Sequence, residues 1–262
     1  MVDYERSFRG PMVHATAAIR PQAPADYAAW VAGRGWNVVY FKTMTEFNAK
    51  ADRPPPRGAY LERAKDAAYF RQFAEVAGRF EIEAIPYVFV MPWNARAQGA
   101  NFGKQVLDFG AVWAMANVER TFETASKTLR ERGSNEWLEG FWSTVGHGRV
   151  SLILSTFAQS RLHPSFPWSI WLAGCQVFSG QCYSSHPSRQ VRESVDLAAE
   201  FGVECWPCFR AYVGDGFDDR GRILATTEEA MAEARRLGVR SWMFWQQKAI
   251  QRWPEMEALI RE

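Results

Sequence analysis

The chain has few cysteines, few histidines, no long apolar run and almost no charge imbalance, and each shortage closes off a class of function. No apolar run approaches the roughly 18 residues that a membrane-spanning helix requires. The opening MVDYERSFRG carries Asp3 and Glu5 and lacks the apolar core of a secretory leader, so the expectation is a soluble, cytoplasmic chain. Against 31 Lys and Arg stand 29 Asp and Glu, a net charge of +2. No bulk electrostatic partner is indicated, neither nucleic acid nor an acidic membrane.

The four cysteines, Cys175, Cys182, Cys205 and Cys208, all lie in the second half. CWPC at 205–208 has the spacing of a redox pair or of half a zinc site. A redox pair sits at a helix N-terminus, whereas this one opens CWPCFRAYV, which reads as a strand. Residues three apart on a strand point to opposite faces, so buried thiols are expected instead. The four histidines, His14, His147, His163 and His186, form no HExxH and no paired spacing, so no metal is expected. His14 reads as a core residue near the start of the first strand, and His163 and His186 fall in loops after the fifth and sixth strands. No GxGxxG follows the first strand and no serine elbow or phosphate loop appears, so no cofactor is expected.

What the chain does have is aromatic side chains: 12 Trp, 8 Tyr and 18 Phe. They supply a large core, and some are available to line a groove for a flat ligand such as a sugar ring. Apolar and β-branched runs alternate with longer amphipathic stretches over the whole length, the pattern of βα units. Strands are expected at 12–20, 36–44, 83–93, 112–120, 149–159, 175–183, 205–213 and 239–247. Between them fall a helix over 23–35 and another over 61–80 with Leu61, Ala64, Ala68, Phe73 and Val76 on its apolar side. A helix pair broken at Gly133, a short helix with Pro167 in its first turn, and helices over 188–204, 226–238 (capped by Thr227) and 253–262 follow. Eight such units in 262 residues are the content of a single-domain (β/α)8 TIM barrel spanning 1–262, with a doubly wound open sheet as the alternative.

In a parallel barrel the functional residues gather at the C-terminal ends of the strands. Taking alternate residues as inward, these ends contribute Arg20, Tyr40 and Lys42, Trp93, Asn117 and Glu119, Ser155 and Gln159, Gln181 and Tyr183, Arg210 and Tyr212, and Gln246 beside Trp245. The phase matters, because a slip of one residue turns every side chain round. For the fourth strand, turning Asn117 and Glu119 inward leaves Ala114, Ala116 and Val118 for the helices, whereas the other phase would press a carboxylate into apolar contacts.

The succession PYVFVMPW, then ANVE closing the fourth strand, QCY the sixth, RAY the seventh and MFWQ the eighth resembles barrel glycoside hydrolases of the chitinase and muramidase type. In those families the fourth strand ends in D-x-E with the Glu as general acid, so the resemblance implies Glu119 as the acid, with Asn117 where an aspartate usually stands. That departure puts turnover in doubt, since the aspartate orients the substrate's N-acetyl group. Tyr183, Tyr212 and Trp245 correspond by location to the aromatic walls of the sugar site.

Glycoside cleavage needs two carboxyl groups. The candidates for the second are Glu46, after the second strand, and Asp215, Asp218 or Asp219 in GDGFDDRG after the seventh, of which Asp215 is the one chosen. A general acid must hold its proton near neutral pH, which burial among aromatics favours and the cations Arg20, Lys42 and Arg210 oppose. The same cations suit a phosphate or an acidic sugar. The expected reading is therefore a barrel that cleaves or binds a glycan or another small polar substrate, through Glu119, Asn117 and Asp215 with Tyr40, Lys42, Trp93, Gln181, Tyr183, Arg210, Tyr212, Trp245 and Gln246. Two alternatives stand beside it: a non-catalytic carbohydrate-binding or scaffold barrel, and a lyase or aldolase forming a Schiff base on Lys42.

Overall fold

The structure is a computed structural model and describes residues 7–13, 19, 23–45, 61–62, 64–213, 219–245 and 247–261. Eight parallel strands close on themselves: β1 (Arg9–Val13), β2 (Val38–Thr45), β3 (Glu83–Val90), β4 (Trp113–Val118), β5 (Ser151–Phe157), β6 (Val177–Cys182), β7 (Cys208–Arg210) and β8 (Trp242–Trp245). Each pairs with the next in sequence and β1 pairs with both β8 and β2, which makes the sheet a barrel. Two-residue strands attach at its margins, Leu61–Glu62 antiparallel to β2 and Glu204–Cys205 parallel to β6. Around the barrel run α1 (Pro24–Ala32), α2 (Ala64–Ala77), α3 (Ala95–Asp108), α4 (Arg120–Thr124), α5 (Lys127–Val145), α6 (Trp168–Ala173), α7 (Pro187–Phe201), α8 (Arg220–Arg236), α9 (Gln247–Ile250) and α10 (Pro254–Arg261). This is a (β/α)8 barrel, as the repeat of βα units implies.

Alternation along each strand separates two environments. Outward residues such as Ala114, Ala116 and Val118 of β4 and Leu152 and Leu154 of β5 pack under the helices. Inward residues, among them Met12, Tyr40, Tyr87, Met115, Ile153, Cys208 and Met243, fill the barrel. At its N-terminal end Phe8, Trp113 and Trp206 close on one another with ring centroids 4.9 to 5.5 Å apart. Aromatic pairs of this kind contribute about 0.5–1.5 kcal/mol each beyond the area they bury. The bottom is therefore an apolar plug, and polar side chains are left to the other end.

Several elements depart from the sequence expectation. The first strand lies at Arg9–Val13 instead of 12–20. Its Gly-Pro pair, normally a turn signal, is used here for close packing: a Cβ at Gly10 would lie 1.7 Å from the Val38 carbonyl oxygen. His14 and Arg20 fall outside the described residues. On α2 the buried stripe is Ala67, Phe70, Phe73 and Ala77, and Ala68 faces solvent; Leu61 pairs with Thr45 and does not open the helix.

The break expected at Gly133 is absent, because α5 runs through it. The chain turns instead at Ala125 and Ser126, whose hydroxyl caps α5 by accepting from the Leu129 N–H at 3.3 Å. Gly133 serves packing, since a Cβ there would meet the Pro92 carbonyl oxygen at 2.6 Å. Thr227 is likewise no cap. It lies inside α8, buried, and donates to the Arg210 carbonyl at 3.3 Å, while Asp219 caps the helix by accepting from the Arg222 N–H at 3.0 Å.

Candidate functional site

The C-terminal ends of β4 and β6 bring three of the expected residues into contact. Asn117 is the last inward residue of β4, and Glu119 follows one step past the strand, at the N-cap position of α4. The Asn117 amide donates to Glu119 Oε1 at 3.0 Å. Gln181, inward near the end of β6, donates from Nε2 to the same Oε1 at 3.0 Å and to Asn117 Oδ1 at 3.1 Å. Oε1 is thus held by two neutral amides, and Oε2 takes no bond among the described residues. Separation in sequence hides this cluster: Asn117 and Glu119 are two residues apart, but Gln181 joins only when the barrel closes.

Tyr183 continues the β6 face. Its hydroxyl lies 3.1 Å from Cys208 Sγ on β7, and its ring meets that of Tyr212 edge-on at 6.1 Å. Burial, with Cys208 and Glu119 nearby, pushes the Tyr183 phenol well above its ordinary value, so it stays a neutral donor. Burial likewise lifts the Cys208 thiol to about 12, the hydrogen bond from Tyr183 opposing this and Glu119 adding to it. The two cysteines of CWPC face opposite ways, Cys208 into the barrel and Cys205 toward the helix layer. Among the described residues no cluster of three His, Cys, Asp or Glu is placed to hold a metal ion.

Cations line the same mouth. Lys42 continues the inward face of Val38 and Tyr40, with its ammonium 5.5 Å from the centre of the Phe89 ring. Arg210 ends β7 with its guanidinium 4.9 Å from the centre of the Tyr212 ring. Asn117 is 6% exposed and Lys42 and Arg210 are 7% each, so all three are almost wholly out of water. Trp245 is half-buried against the interior cluster, Tyr40 lies fully inside it, and Trp93 is half-buried in the segment after β3. Asp215, Asp218, Glu46 and Gln246 lie outside the described residues.

The loops are tied by a set of contacts that local sequence patterns do not announce. Gln98 on α3, fully buried, accepts from the Met91 N–H at 3.1 Å and donates to its carbonyl at 3.2 Å, holding the chain just past β3. Gln190 on α7 accepts from the Ser184 N–H at 3.0 Å and so holds the segment after β6. His163, in the loop after β5, bonds through Nδ1 to both oxygens of Glu123 at 3.1 Å and stacks on Phe157 with centroids 3.7 Å apart. His186 is exposed ahead of α7, with Nδ1 2.9 Å from the Ser185 hydroxyl.

No protein-family model matches the chain, and no curated protein is similar to it in sequence. Its fold is shared with solved glycoside hydrolases. A GH18 chitinase from Pseudoalteromonas aurantia superposes with a TM-score of 0.66 at 8% identity, over 97% of this chain and 99% of that one. The endo-1,4-beta-mannanase from Rhizomucor miehei gives 0.67 at 12% identity, over 94% and 88%. The glycoside hydrolase domain of PgaB (BpsB) from Bordetella bronchiseptica gives 0.63 at 10%, over 97% and 98%. At such identities the likeness establishes the barrel, and function rests on the site itself. No helix among the described residues is long and apolar enough to cross a membrane.

Proposed function

We propose that the protein is a single-domain barrel that takes a glycan in this mouth and cleaves it, with Glu119 as the general acid. The observation that carries the reading is the Asn117–Glu119–Gln181 cluster, in which one carboxylate oxygen is fixed by two amides and the other is left for a ligand. Around it we place the aromatic faces of Tyr183, Tyr212 and Trp245, with Trp93 and Gln246 assigned to the same walls, whereas Tyr40, expected among them, is wholly buried inside the barrel and presents no face to a ligand; apolar faces with polar edges suit a pyranose ring. The fold neighbours, named as chitinase, mannanase and glycoside hydrolase, support a glycan over other polar substrates.

In the proposed reaction Glu119 gives its proton to the glycosidic oxygen as the bond from that oxygen to the anomeric carbon breaks. Water adds to the anomeric carbon and loses a proton to a second carboxylate, assigned to Asp215, whose separation from Glu119 sets the stereochemical outcome. The decisive measurement is hydrolysis and binding across a glycan panel for the wild type and Glu119→Gln. General-acid loss predicts turnover reduced by about a hundredfold or more with affinity kept within a few-fold. A Glu119→Gln protein that hydrolyses as well as wild type removes the assignment.

One observation favours a non-catalytic, glycan-binding barrel: Glu119 is the one carboxylate among the described inward residues at the strand ends. Binding without hydrolysis in the wild type selects that reading. The burial of Lys42 beside Phe89 favours Schiff-base chemistry; covalent trapping on Lys42 by borohydride with a carbonyl compound would replace the glycosidase assignment.

A further inference from the structure

One cation of the mouth, Arg210, adjoins a second, more exposed set. Arg210 shares a crevice with Ser184 and Ser185, and these two serines also line a groove of about 460 Å³ that opens beside the mouth, between the segment after β5 and the start of α7. Arg161, Arg189 and Arg192 line that groove, against Glu229 as its one acidic lining residue. The nearby carboxylates are shared: Glu193 bonds both Arg161 (3.0 Å) and Arg189 (2.8 Å), and Glu233 bonds both Arg192 (3.0 Å) and Arg236 (2.7 Å). Four guanidiniums therefore stand against three carboxylates, Glu193, Glu233 and Glu229, and three of the four, Arg161, Arg189 and Arg192, line the groove.

A neutral sugar chain gains little from such an arrangement. An anionic one gains charge-assisted hydrogen bonds, worth most where Lys42 and Arg210 are out of water, and the planar arginine fork matches a carboxylate or a sulfate. A concave wall with a surplus of one charge also draws in oppositely charged chains from solution, an effect that salt screens.

We propose that the glycan is anionic, a chain of sugars carrying carboxylate or sulfate groups, with one acidic group between Lys42 and Arg210 and the next along the arginine-lined groove. This rests on the glycan reading of the mouth.

The test is calorimetric titration of the full chain with three ligands: a short galacturonic acid oligosaccharide, the same backbone after carboxyl reduction, and a sulfated form of the reduced backbone. The expected result is at least about tenfold tighter binding of an acidic form than of the reduced one at low salt, shrinking as salt rises. Carboxylate alone conferring the advantage points to a uronic acid; carboxylate and sulfate conferring it equally point to recognition of charge. Lys42→Met and Arg210→Gln each cut the advantage by about tenfold. Arg161→Gln with Arg189→Gln, at exposed positions where folding is not at stake, cuts it several-fold. Arg96→Gln, which removes a cation paired with Glu139 on the exposed face of α3, leaves it intact. Equal affinity for acidic and reduced chains, or an advantage indifferent to the Arg161 and Arg189 changes, overturns the inference and leaves the glycan reading standing. Absence of binding or cleavage of every glycan removes both.

Discussion

Gln181 on β6 reaches across the barrel mouth to donate to Glu119 beyond β4, and the same nitrogen also holds Asn117, at 3.0 and 3.1 Å. One side chain thus sets the direction in which the free Glu119 oxygen points. A hydrogen bond contributes about 0.5–1.5 kcal/mol net, so Gln181→Leu is expected to lower turnover or glycan affinity by about two- to tenfold. Steady-state kinetics or titration with the same ligand would show it. An unchanged protein would mean that Asn117 alone orients the carboxylate.

The chain after β3, which carries Trp93, depends on Gln98. Its amide satisfies both the N–H and the carbonyl of Met91 in a site without water access. Gln98→Leu keeps the volume and leaves two backbone groups unmet, at a cost of about 2 kcal/mol or more. Urea unfolding should move to lower midpoint with the slope unchanged.

Gly133 presses α5 onto the same segment. Alanine has the better helix propensity by about 1 kcal/mol, yet its Cβ would sit 2.6 Å from the Pro92 carbonyl oxygen and 2.9 Å from the Pro92 Cα. The clash is with backbone and cannot be relieved by a rotamer change, so it dominates. Gly133→Ala should destabilise by about 1–3 kcal/mol, where a break in the helix at this position would have predicted stabilisation. Thermal melting decides between them.

Glu233 fastens α8 to α7. Its bonds to Arg236 and then to Arg192 hold its carboxyl at about 2, below the usual range. A depressed value in the folded state stabilises above the ordinary carboxylate range and is lost as pH falls toward 2. Arg192 and Arg236 are exposed, so solvent screening limits the contribution to about 1 kcal/mol. Glu233→Gln should therefore lose about that much at neutral pH and match the wild type near pH 2. Equal stability of the two proteins at neutral pH would show that the pair contributes nothing.

Local pattern went far with the barrel. The alternation in AMANV places Asn117 inward and its neighbours under the helices because a buried strand cannot turn a carboxamide into an apolar layer. Pattern failed where a residue's role is set by something distant in sequence. Gly133 and Thr227 look locally like a helix break and a helix cap, yet one is shaped by Pro92 and the other bonds Arg210.

The amino-acid sequence by itself determined the repeating βα plan and the short set of polar residues at the strand ends, since both follow from periodicity and from the rule that a side chain alternates along a strand. Only the tertiary structure decided that Gln181 belongs with Asn117 and Glu119, and that the arginines after β5 and on α7 line one groove. These groups are far apart along the chain, and hydrogen bonds and Coulomb forces act only over the few ångströms that barrel closure brings them within.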